Sequence, residues 1–243
     1  LLLLQQAILF ACGWIFLNLV RYVTGRTIHG GKDPVGLVDG SALLVLSALL
    51  IFLTYKIYLF AKSDLVPVPK LGLLPSKNWL NHFVMGTTLG FLIEGFTGII
   101  SLLVGRLHIM ETLLTANSVP NILIFLFSSW VLLIANSIQE EATSRAFPIM
   151  LWNHRSVLFR ILIPSLFFAI FHLIDEPFEI HRFINLTFGG VLFSLFYLLT
   201  GNIWLCSGVH TGLNYAYFWN TGQWHNGALV RTEGSLINFP FMS

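Results

Sequence analysis

Charge is what this sequence has least of. Only 10% of its 243 residues are Asp, Glu, Lys or Arg, against about 25% in an ordinary soluble domain, and 56% are hydrophobic. Mean hydropathy is +0.78. Together these exclude a water-soluble globular protein. A formal net charge of +2 and the lack of any basic run give nucleic acid no footing. The two cysteines, Cys12 and Cys206, lie in apolar stretches and read as small buried hydrophobes, so they are silent on redox compartment. There is no internal repeat. The apolar runs are continuous rather than alternating, so a transmembrane barrel is excluded and strands are not expected. The chain opens on Leu1 rather than Met, so its true start is expected to be missing; the first apolar stretch is long enough to stay as a helix.

What is present is a series of apolar stretches near the roughly 20 residues needed to cross a bilayer. They run over Leu1 to Val20, Val38 to Phe60, Leu80 to Val104, Pro120 to Phe147, Val157 to Ile174, Phe183 to Leu199 and Ile203 to Trp219. Polar, turn-rich connectors such as "TGRTIHGGKDPVG", "AKSDLVPVPKLGLLPSKN" and "IDEPFEIHR" separate them. The expected fold is all-α: one polytopic transmembrane bundle of seven to eight helices, a single domain over 1–243. Lys and Arg are shared almost evenly between alternate connectors, so the sequence gives no sidedness. The Trp and Tyr residues, Trp79, Trp152, Trp204 and Trp219 among them, read as a headgroup belt.

Three polar groups interrupt the apolar spans. The stretch "ANSIQEEATSRAF" carries Glu140, Glu141 and Arg145. A single charge at a helix centre costs roughly 2.5–3.5 kcal/mol on insertion scales, so a compensating role is expected. Glu141 and Arg145 are four apart and share a helix face, whereas Glu140 is rotated by about 100°. The first two therefore read as a structural pair and Glu140 as free for chemistry; the rival is an interfacial salt bridge before Pro148. In "FFAIFH", Phe168 and His172 share a face, so the ring can restrict the imidazole. In "GVHTGLN", His210 and Asn214 share a face and can direct two donors at a developing oxyanion. Interhelical glue is the bland alternative there, and Gly208 and Gly212 admit a close neighbouring helix on either view. With Pro148, Pro164 and Gly201 taken as span boundaries on one side, Glu140, His172 and His210 each lie ~12 Å deep. They could occupy one layer.

These residues resemble a known family. "EEATSR" fits EExxxR, "FAIFH" fits FxxxH and "HTGLN" fits HxxxN, in that order and inside apolar spans. The pattern is similar to the CAAX protease and bacteriocin-processing family, also called the Abi family, which includes the type II CAAX prenyl endopeptidases. The resemblance covers Trp130 to Tyr217; the first three spans carry no motif of it. It implies an intramembrane endopeptidase in which Glu140 and His172 activate water, His210 and Asn214 form the oxyanion hole, and Glu141 and Arg145 support them. Phe168 completes its motif beside His172. The implied partners are a peptide or protein substrate, prenylated or simply hydrophobic, and the lipid bilayer. The implied setting is a multi-pass integral membrane protein, with short connectors leaning toward a prokaryotic cell membrane.

No cofactor is expected. One Glu and two His match the ligand types of catalytic zinc, so a zinc metalloprotease stands as the alternative, although the HExxH spacing is absent. A transporter would place buried acids and histidines along an ion path, and an immunity-type partner would keep the fold without activity.

Overall fold

In hydrocarbon, backbone N–H and C=O groups must be satisfied within the chain, and a continuous apolar run does this by becoming a helix. The computed structural model describes residues 2–24, 37–61, 71–112, 119–172, 179–221 and 230–234. Each expected span is a helix within them: α1 (Leu2–Thr24), α2 (Leu37–Ala61), α3 (Trp79–Leu103), α4 (Val119–Glu141), α6 (Val157–His172), α7 (Ile180–Thr200) and α8 (Trp204–Thr221). Between α4 and α6 lie a π-helical turn (Ala142–Ala146) and a short α5 (Phe147–Leu151). Most of the three quoted connectors falls outside the described residues, as does the side chain of Trp219.

Among the described residues two helices, α3 and α7, are long and apolar enough to cross a membrane, and only 28% of each apolar window is buried. The core helix of a soluble protein would be mostly buried. On α3 the exposed residues Met85, Leu89, Leu92, Phe96, Ile99 and Leu103 form one helical stripe. Gly86, Gly90, Glu94, Thr97, Gly98 and Ser101 are buried on the other. Small and polar inside, large and apolar outside, is the pattern of a helix solvated by lipid.

The tightest packing joins α3 to α8. A Cβ on Gly86 or Gly90 would run into the backbone of Leu205 or Val209, and one on Gly208 or Gly212 into that of Phe83 or Thr87. Two small-xxx-small patterns thus face each other, letting the backbones touch. Elsewhere, Gly190 of α7 seats against Ser165 of α6. Helix α1 packs on α2 through Leu9, Leu46 and Leu50, and Tyr58 of α2 meets Phe147 of α5 at 5.7 Å between ring centroids.

The start of α8 is clasped from outside. Gly72, at φ 65°, lets its carbonyl accept from the Ile203 N–H at 3.2 Å. Tyr197 Oη donates to Leu71 O at 3.0 Å and Trp204 Nε1 to Leu74 O at 3.3 Å. Trp204 is therefore a buried core residue, its ring 4.9 Å from that of Trp79. Its indole N–H is satisfied by the clasp rather than by lipid headgroups, which corrects the belt assignment.

Three further expectations change. Strands do occur: β1 (Leu107–Thr112) and β2 (Val230–Gly234) pair antiparallel from Leu107↔Gly234 to Thr112↔Val230, with a bulge between Ile109 and Glu111. Segments this short carry too little alternation to stand out, and each gains its ladder only from a distant partner. Pro148 does not end the fourth span, because the chain stays helical to Leu151. Pro164 is no boundary either; it lies buried inside α6, which begins at Val157.

Candidate active site

The geometry starts at the π turn. Thr143 Oγ1 bonds back to Gln139 O at 2.9 Å, and the Phe147 N–H reaches Ala142 O, five residues back. One extra residue in the turn breaks the regular ladder just where Pro148 has no N–H to give. The helix therefore passes a proline without fraying, and its charged residues stay in the bundle.

Glu141 and Arg145 form the expected pair, with Arg145 Nη1 donating to Glu141 Oε1 at 3.2 Å and both side chains 0% exposed. The guanidinium lies 4.0 Å from the Phe168 ring centroid and 5.2 Å from that of Phe193. A desolvated cation over aromatic faces gains about 2 kcal/mol or more. Glu141 also reaches across the bundle, its Oε1 accepting from His210 Nδ1 at 2.8 Å.

Glu140 turns to a different set of partners. Its Oε2 lies 3.7 Å from His172 Nε2 and 3.7 Å from His210 Nε2. Its Oε1 accepts from Asn136 Nδ2 at 2.7 Å. Side chains from α4, α6 and α8 thus meet at one point. The meeting does not depend on the boundary-based depth argument, whose Pro164 marker failed.

Each converging group is anchored at its far end. His172 Nδ1 lies 2.9 Å from Phe168 O, which as a carbonyl can only accept, so Nδ1 carries the hydrogen. The ionised Glu141 carboxylate likewise requires a hydrogen on His210 Nδ1. In both neutral rings the lone pair is then on Nε2, facing Glu140 Oε2. The rings are held sideways as well: Phe168 lies 4.2 Å from His172, and Phe193 is stacked 5.2 Å from His210. Glu140 Oε2 itself is buried and has no hydrogen bond within the protein among the described residues. A carboxylate oxygen and two imidazole nitrogens around one point leave a place where a water molecule can bridge them.

Access to that point is from one side. The side chains of His172 and Glu140 are 34% and 21% exposed, while those of His210 and Glu141 are 8% and 0% exposed. Asn214 stands one turn beyond His210 on α8 and is half-buried. Among the described residues it makes no hydrogen bond to Glu140, His172 or His210. The sequence reading missed Asn136, although its position four residues before Glu140 is a usable signal.

Residues 120–216 match the family model described as Type II CAAX prenyl endopeptidase Rce1-like. No curated protein and no solved structure matches the chain.

Proposed function

We propose that this helical membrane protein of the CAAX-endopeptidase type is an intramembrane peptide hydrolase whose base is Glu140. It sits in the bilayer as a multi-pass protein, and its short connectors suit a prokaryotic cell membrane. The reading is carried by one observation: Glu140 Oε2 and two histidine Nε2 atoms face one point, each held from behind. A water molecule there offers its hydrogens to Glu140 Oε2 and to one Nε2 atom.

In the reaction Glu140, oriented with His172, takes a proton from water as the oxygen attacks the scissile carbonyl carbon. The carbonyl π electrons move onto oxygen. His210 Nε2–H, available in the imidazolium form whose charge Glu141 balances, and the Asn214 amide receive that negative charge. Collapse breaks the C–N bond, and Glu140 or His172 returns the proton to the leaving amine. The substrate is a membrane-associated peptide or protein, prenylated or otherwise hydrophobic.

The decisive test compares wild type with Glu140→Gln in proteoliposomes, on farnesylated and plain quenched-fluorescent peptides. The amide cannot accept the proton, so cleavage should fall about 10²- to 10⁴-fold. Hydrolysis undiminished in Glu140→Gln removes Glu140 as base and the proposal with it.

A zinc reading has one observation in its favour: zinc-bound histidines also anchor their second nitrogen on an acceptor, as both do here. The metal-free route is preferred because the HExxH spacing is absent and His172 and His210 come from different helices. Stoichiometric zinc in purified protein, with cleavage lost on its removal and restored on its return, would reverse that preference.

A further inference from the structure

We propose that Asn136 is the positioning residue of the catalytic base, committing Glu140 Oε2 to the reaction by holding Oε1. This rests on Glu140 being the base.

The two carboxylate oxygens are chemically equivalent, and the last torsion of a Glu side chain is broad and roughly two-fold. Nothing intrinsic keeps one oxygen toward the histidines. On a helix, side chains lean toward the N-terminus, so the residue one turn earlier is where a tether can stand. Asn136 stands there. Its Nδ2 donates to Oε1 at 2.7 Å, a full ångström closer than either histidine nitrogen lies to Oε2. An ionised carboxylate only accepts, so the amide nitrogen, not its oxygen, faces Glu140.

The same contact explains why the amide is there at all. Asn136 sits on α4 between the apolar residues Ala135 and Ile138, in a span where a polar side chain without a bond is costly. Asparagine is also a mediocre helix former. The carboxylate gives its amide a partner and leaves Oε2 as the sole oxygen open to the reacting water. A reacting atom misplaced by about 1 Å can lose roughly 100-fold in rate.

The test uses full-length protein in proteoliposomes with the same farnesylated and plain quenched-fluorescent peptides. Asn136→Leu is close in shape but has no donor; kcat should drop roughly 10- to 100-fold with KM unchanged and thermal stability retained. Asn136→Asp, which sets a second carboxylate against Oε1, should fall at least as far. Asn136→Gln restores an amide donor and should recover part of the lost kcat. Asn136→Leu at the wild-type kcat overturns the assignment, as does a rise in KM at constant kcat or a Gln variant no better than Leu. Glu140→Gln separates the two levels. If it still cleaves, the base is wrong; if it is inactive while Asn136→Leu is unimpaired, only the role of Asn136 fails.

Discussion

Arg145 shows how a buried ion can be structural and still shape the proposed reactive centre. It is fully buried, with one carboxylate partner and two aromatic rings. Removing one member of a buried pair leaves the other charge uncompensated, which costs about 3–5 kcal/mol. Arg145→Met should therefore lower the Tm in detergent substantially and release Glu141 from one side of its bridge to His210. An unchanged Tm would show that His210 alone holds Glu141. At this scale the sequence was informative where the interactions are local. The turn from Glu141 to Arg145, the rotation of Glu140 and the Phe168–His172 ring contact all follow from helix spacing. The Glu141–His210 bond does not, because the two residues belong to helices joined only by the tertiary fold. Asn136, four residues before Glu140, was within reach of the same spacing argument but was given no role.

At the level of elements, the bundle depends on glycines chosen for what lies opposite them. Gly90 meets the backbone of Val209, whereas Gly95, on the same helix, has nothing near its would-be Cβ. Gly90→Ala should force α3 and α8 apart and reduce both stability and the proposed cleavage. Gly95→Ala should be neutral or gain up to about 1 kcal/mol from helix propensity. Thermal unfolding of the two variants side by side checks this, and equal Tm values would refute the packing argument. The sequence pointed to Gly208 and Gly212 as a docking face. Its mate, Gly86 and Gly90 in "GTTLG", was equally visible but lay in a span with no family motif. Helix number and order were legible because a continuous apolar run has one backbone solution in lipid. The β1–β2 ribbon and the π turn were not: one needs a partner far away in the chain, and the other adds a single residue to a helix whose hydrophobic pattern hardly changes.

For the whole molecule, lipid takes the place that a hydrophobic core has in a soluble protein. The outward stripe of α3 makes this testable, since Leu92 is 62% exposed and near the middle of the helix. Leu92→Lys should reduce membrane integration by roughly 3 kcal/mol without touching the proposed active site, measured as the fraction of chain resistant to carbonate extraction. Full integration would mean that this stripe is covered by something other than lipid. The α3–α8 seam bears on how far the chain can be cut down. The family match spans 120–216, yet the helix presenting His210 and Asn214 is seated on one that ends at Leu103. A fragment trimmed to the matched region would keep every proposed catalytic side chain and lose the backing of the helix that carries two of them. Such an excised fragment should be inert until α3 is supplied in trans.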